Sequence, residues 1–277
     1  MEKGKEEKRK KRRLKWPFKV LIVIGIIILY AFFIGPKGIF IKEYKVESSK
    51  LETGFHGLKI AQFSDLHYGS SAGNGELIKL VKKVNETKPD IIIFTGDLVD
   101  EDYKLSNDEK EQITKQLSKL KPELGKYYVT GEEDFEEATS ILNLSGFINL
   151  SAGEQLIYNN GNKPILITSD ETVRDYKEDE FTDNLFKILA IHDPSSADKY
   201  NDYNFDMIVA GHTHGGQLNI PKLRELLIKG KYKDNYQKIN QTKLFINPGI
   251  GTSTLNVRLF NHPTIYLFRL SKAPTKN

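Results

Sequence analysis

The sequence has no cysteine, which excludes disulfides and thiolate metal sites and leaves His, carboxylate and amide groups as the ligands available for a transition metal. It has no internal repeat, which argues against a repeat architecture. Charge is absent from Val20 to Ile34, where only Gly25, Tyr30 and Ala31 interrupt a series of Val, Ile, Leu and Phe. A small-x-small cleavage site is missing after that run, because Phe32, Phe33 and Ile34 occupy the zone, so an uncleaved anchor is expected and not a signal peptide. Aromatic residues are missing among the basic residues of the first fifteen positions, and stacking on single-stranded nucleic acid needs them. Nucleic acid is therefore not an expected partner, and anionic lipid headgroups are the expected contact of that basic stretch.

What is present divides the 277 residues unevenly. Met1 to Lys15 holds nine Lys or Arg against three Glu, so the excess of basic residues belongs to this tail and the rest of the chain is slightly acidic. From Phe18 to Ile34 a helix would span roughly 25 Å, a little short of the ~30 Å hydrocarbon core, a gap that Lys15 and Lys19 absorb by snorkelling. Trp16 and Tyr30 suit the headgroup level, and positive-inside asymmetry places the N-terminus in the cytoplasm and Gly38 onward outside the cell membrane. The expected organisation is a basic cytoplasmic tail at 1–17, a single-pass anchor at 18–36, one globular domain at 37–272 outside the cytoplasm, and a short tail at 273–277.

Within the domain, residues 40 to 47 alternate like a half-buried strand. Leu58 to Ser64 reads as a strand, Glu76 to Asn85 as an amphipathic helix with Ile78 among its apolar positions, and Ile91 to Thr95 as a buried strand, a β-α-β unit that implies parallel pairing. A polar helix from Asp108 to Leu120, a strand at Lys126 to Thr130 and a helix from Phe135 to Leu142 follow. The second half changes to short strands: Gln155 to Tyr158, Ile165 to Thr168, Lys187 to Ile191, Met207 to Ala210, Leu244 to Ile246 and a long last one from Val257 to Leu270. Two stacked sheets flanked by helices account for this order.

The chemistry-bearing residues stand where those strands end. Asp65 and His67 follow the first, Asp97 the second, His192 the strand ending at Ile191, and His212 with His214 the strand ending at Ala210. In α/β folds ligands collect at the carboxyl ends of strands. Singly, each has an ordinary reading, a turn-forming Asp or a solvent-facing His. Together they weigh differently, because four of the six histidines in the chain stand just after apolar strands. His-x-His across a tight turn can send one imidazole to each of two metals, and one carboxylate, Asp97, can bridge cations about 3.5–4 Å apart.

The segments Phe63-Ser64-Asp65-Leu66-His67, Gly96-Asp97-Leu98-Val99-Asp100, His192-Asp193-Pro194 and Gly211-His212-Thr213-His214-Gly215-Gly216-Gln217, in that order, resemble the calcineurin-like metallophosphoesterases. Asn247-Pro248-Gly249-Ile250-Gly251-Thr252-Ser253 and Val257-Arg258-Leu259-Phe260-Asn261-His262-Pro263 are similar to that superfamily's membrane-anchored bacterial branch. The resemblance implies an α/β fold, a four-layer α-β-β-α sandwich, after one N-terminal transmembrane helix. It also implies two divalent metal ions, with Asp65, His67 and His214 on the first, Asp97 bridging, and His192 and His212 on the second. Mn, Fe and Zn all suit such ligands.

One block departs from the family pattern. Where the family has Gly-Asn-His-Asp or Gly-Asn-His-Glu, this chain has Gly131-Glu132-Glu133-Asp134. Glu132 can still ligate the second metal, although its charge lowers the Lewis acidity of the pair. An ionised Glu133 would repel a phosphate, whereas one with a raised pKa could act as the catalytic proton donor to the leaving group. A third reading is that these acids occupy the first turn of the helix starting near Phe135. The expected activity is metal-dependent hydrolysis of a phosphoester, with a diester or pyrophosphate favoured over an alkyl monoester. The alternative is a catalytically attenuated metal-binding ectodomain. The expected substrate or ligand is a phosphorylated small molecule, lipid or envelope polymer, and no protein partner is inferable.

Overall fold

A computed structural model describes residues 15–173, 184–228, 230–253 and 255–274. Most of the basic tail lies outside the described residues. The first described element is helix α1, Trp16–Phe33, whose start and end fall within two or three residues of the expected anchor. It is long and apolar enough to cross a membrane, with a mean hydropathy of 2.3, and Ala31 is its one buried residue.

Two six-stranded sheets follow. The first has the order β1-β12-β2-β3-β4-β5, where β1 is Phe40–Ser48, β2 Lys59–Phe63, β3 Ile91–Thr95, β4 Lys126–Val129, β5 Ile148–Asn149 and β12 Thr264–Lys272. Strands β2 to β5 run parallel, whereas β12 is antiparallel to β2 and parallel to β1. The second has the order β10-β11-β9-β8-β7-β6, with β6 Gln155–Ile157, β7 Ile165–Ser169, β8 Phe186–Ala190, β9 Met207–Ala210, β10 Tyr236–Ile239 and β11 Thr242–Ile246.

Strand periodicity sorts the side chains into three apolar layers. On β3, Ile91 and Ile93 point into the space between the sheets, while Ile92 and Phe94 point outward beneath the helices. On β8, Phe186, Ile188 and Ala190 face the first sheet and Leu189 faces the opposite side. Strands buried on both faces lack polar alternation, which is why β3 and β9 read as unbroken apolar runs.

Helices α2 (Asn74–Thr87), α3 (Asn107–Leu117) and α4 (Glu136–Leu144) are the described α-helices carrying apolar residues over the first sheet. In α2, Leu77, Leu80, Val81 and Val84 form the buried stripe, and Ile78 lies outside it, 44% exposed. Its end is set by Lys88 in the left-handed conformation followed by Pro89. A Ser106–Glu109 capping box starts α3: Ser106 Oγ accepts from Glu109 N, and Glu109 Oε2 accepts from Ser106 N.

Two expectations about element ends need correction. The last strand begins at Thr264 and not at Val257. Residues 257–263 form a loop because Arg258 turns inward, fully buried, to donate to the carbonyls of Pro248, Gly249 and Gly251. Helix α4 begins at Glu136, so the acids in its first turn are Glu136 and Glu137, and Glu132, Glu133 and Asp134 lie in the preceding turn. The stretch after Gly216 contains a short helix, Pro221–Leu227, and the β10–β11 hairpin.

Candidate metal centre

The carboxyl ends of β2, β3, β4, β8, β9 and β11 converge, and their loops bring Asp65, His67, Asp97, Glu132, Glu133, His192, His212 and His214 together. Two sets of ligand atoms result. In one, Asp65, His67 and His214 each offer an atom within 4.8 Å of the others, and in the second Glu132, His192 and His212 do the same. Asp97 stands between them: its Oδ2 lies 3.2 Å from His192 Nε2 and 3.8 Å from His67 Nε2.

The backbone is bent to make this possible. Asp65, His67, Asp97, His212 and His214 all have positive φ, between 45° and 67°. Such angles cost a non-glycine residue free energy and persist where surrounding structure imposes them, characteristically at functional sites. Gly131 permits the closest approach: a Cβ there would fall 2.0 Å from Asp97 Oδ1.

Ring-nitrogen partners decide how the imidazoles face. His192 Nδ1 lies 2.7 Å from the Thr95 carbonyl, so it carries a proton, and its buried Nε2 turns toward Glu132 Oε2 at 2.8 Å and Asp97 Oδ2 at 3.2 Å. His214 Nδ1 faces the Gly251 carbonyl at 3.3 Å, and His67 Nδ1 lies 2.8 Å from Glu133 Oε2. The remaining Nε2 atoms of His67 and His214 lie 3.0 Å apart. Imidazole nitrogens and carboxylate oxygens converging from separate loops, with the His67 and His214 Nε2 atoms facing each other, are what a cation site made of histidine and carboxylate requires, so the residues present fit a metal pair.

Proton affinities follow from these contacts. Burial disfavours the protonated form of His192, but hydrogen bonds with Asp97 and Glu132 outweigh it and leave its pKa well above the ordinary histidine value. His67 is raised in the same way, burial being overcome by Glu133 and Asp65. His212 is raised chiefly by its hydrogen bond with Glu132, whose Oε1 is 2.6 Å from His212 Nδ1. Burial raises Glu132, yet its two imidazole partners hold it below the carboxylate range. His214 is pushed well below 6.5 by burial and then by the nearby His67, and burial raises Asp65.

Glu133 stands behind His67. Its Oε2 accepts from the Glu101 backbone as well as contacting His67, so the carboxylate fixes a ligand's orientation. Three further residues shape the site in ways their sequence positions do not reveal. Asp134 accepts from the backbone N–H groups of Asp97, Leu98 and Gly131, clamping the β3 and β4 loops together. Asn247 donates to Gln62 Oε1 at 3.0 Å, and Gln62 donates to Thr95 Oγ1 at 2.8 Å, linking the strand ends of the two sheets. An Asp at a helix approach was visible, but two of its three partners, Asp97 and Leu98, lie 37 and 36 residues away and leave no local pattern.

An uncharacterised metallophosphoesterase of Bacillus subtilis, YkuE, is 31% identical over 255 residues, spanning 87% of this chain and 88% of that protein. A zebrafish transmembrane protein with a metallophosphoesterase domain is 23% identical over 91% of this chain, which spans 62% of the fish protein. The crystal structure of TT1561 from Thermus thermophilus aligns with 70% of this chain and 90% of that one, at 14% identity and a TM-score of 0.45. Residues 58–216, which carry every ligand candidate named above, match the calcineurin-like phosphoesterase family, and the chain belongs to that family.

Proposed function

We propose that the chain hydrolyses a phosphoester at a pair of divalent cations, Mn, Fe or Zn, held by the two ligand sets. The observation that carries this reading is Asp97 Oδ2 standing within 4 Å of an imidazole Nε2 from each set, the place a bridging carboxylate occupies. When bound, two such cations polarise the phosphoryl oxygens and make water nucleophilic at neutral pH.

The protein's part is to hold Asp65, His67 and His214 around one position and Glu132, His192 and His212 around the other. Water adds to phosphorus and gives up a proton to solvent, the bond to the leaving oxygen breaks, and that oxygen departs as an anion or takes a proton from solvent. Since Glu133 is engaged with His67, the chain supplies no free acid at that position. Leaving groups that are stable as anions are therefore favoured: the phosphate of a pyrophosphate, an aryl oxide or an activated diester, ahead of an alkyl monoester.

We place the domain on the outer face of a membrane, tethered by α1, on the basic tail before it and the transmembrane relative. The full chain in detergent, given bis(p-nitrophenyl) phosphate with Mn or Zn, is expected to release nitrophenol, and His212→Ala is expected not to. Full metal occupancy without turnover would instead make this an ectodomain that binds phosphorylated ligands and does not cleave them.

A further inference from the structure

A cavity of about 410 Å³ opens beside the metal centre, with His212, His214 and Gln217 on its inner side. Its outer side is apolar: Leu218, Leu227, Ile228, Leu255 and Val257. Around it, large apolar side chains face outward, with Leu226 80%, Leu255 62% and Phe260 63% exposed. Contiguous exposed leucine and phenylalanine beside a pocket mark a surface that meets something apolar.

The position of α1 says what that is. Val257 lines the cavity, and the next residue, Arg258, donates its backbone N–H to the Ala31 carbonyl of α1 at 2.9 Å. Gly35 lies so close that a Cβ there would fall 1.8 Å from the Arg258 carbonyl oxygen. Tyr30 Oη adds a 3.5 Å contact with His262. The cavity wall is thus continuous with the C-terminal end of the anchor. Leu255 and Phe260 stand within three residues of Arg258, beside this junction with the anchor, and Leu226 precedes the cavity-lining Leu227.

We infer that this cavity takes the hydrocarbon chain of a membrane lipid, so that the phosphoester presented to the metal centre belongs to a lipid drawn from the bilayer that holds α1. The inference rests on the hydrolytic reading above. His212 and His214 face the phosphate end, and Leu227, Leu255 and Val257 receive the chain. Each methylene buried in such a groove strengthens binding about fourfold. Chain length therefore governs kcat/KM until the groove is filled.

Two arms test this on the full chain in liposomes. The first compares methyl p-nitrophenyl phosphate with octyl p-nitrophenyl phosphate, which share a leaving group. The octyl ester is expected to have at least tenfold higher kcat/KM, and Leu255→Glu with Leu227→Glu to bring the ratio near one. A ratio near one in the wild type, or one that survives the double substitution as simple partitioning would, overturns the inference and leaves hydrolysis standing. If neither ester is cleaved, the hydrolytic reading itself fails. The second arm needs no turnover: with the sole tryptophan removed as Trp16→Phe, a Leu226→Trp reporter is expected to be quenched by lipids brominated in the upper acyl chain. A Leu156→Trp reporter on β6, at the far edge of the second sheet, is expected not to be. Equal quenching of the two overturns the membrane contact.

Discussion

His67 Nδ1 lies 2.8 Å from Glu133 Oε2, and this contact decides which nitrogen of His67 faces the cluster. A carboxylate behind a ligating imidazole fixes its tautomer and raises its basicity, and losing such a partner characteristically lowers metal affinity about 10–100-fold. Glu133→Ala is expected to weaken Mn binding to that extent in calorimetric titration, with Glu133→Gln intermediate because its amide oxygen can still accept. Unchanged affinity in both variants with loss of turnover would return Glu133 to the role of proton donor.

The positions of the site residues were legible because the signal is local. Asp65, His67, Asp97, His192, His212 and His214 each follow an apolar run that ends in a turn, and both features lie within a few residues. Strand β3 was legible for the same reason, being apolar on both faces. Arg258 was not: Val257-Arg258-Leu259-Phe260 reads as a continuing strand, and the side chain is drawn inward by three carbonyls of the Pro248–Gly251 turn together with that of Asn261. The β10–β11 hairpin was hidden because Tyr236 to Ile239 are half-exposed to exposed and carry little apolar signal.

The imidazoles predict how pH and metal interact. His67, His192 and His212 all bind protons more tightly than free histidine, so a metal must displace protons from them. Affinity is expected to rise with pH above 6.5, and titrations in buffers of different ionisation enthalpy are expected to report net proton release. In the metal-free chain the sign reverses for stability. The His192–Glu132–His212 ion pairs contribute fully below the unfolded histidine value of 6.5 and fade as pH climbs through the raised folded values. They also fade as pH falls below 4.5, where Glu132 begins to protonate in the unfolded chain. The Tm difference between the metal-free wild type and Glu132→Gln should therefore be greatest between pH 4.5 and 6.5. A difference that grows steadily toward pH 9 would contradict the pairing.

Arg258 ties the site to the fold. Burial lowers its pKa to about 10, which leaves it charged at neutral pH. Arg258→Met would strand the carbonyls of Pro248, Gly249 and Gly251 in a buried setting. A loss on the order of 3–5 kcal/mol in chemical denaturation is expected. A loss below about 1 kcal/mol would mean that water replaces the guanidinium without strain.

Gly131 and Gly57 separate two ways in which a glycine can be required. At Gly131 the backbone has no positive φ, but a Cβ would meet Asp97 Oδ1 at 2.0 Å and Asp97 N at 2.9 Å. At Gly57 φ is +89°, while nothing lies within 4 Å of the Cβ position. Gly57→Ala should therefore cost stability through backbone strain, on the order of 1–2 kcal/mol, and leave metal affinity unchanged. Gly131→Ala should instead push aside the carboxylate that stands between the two ligand sets, reducing metal stoichiometry and turnover together while the far-UV circular dichroism stays that of the wild type. Retention of two tightly bound metals by Gly131→Ala would mean that Asp97 can serve both positions from a displaced rotamer, and the bridging geometry would then not depend on the close approach of β4 to β3.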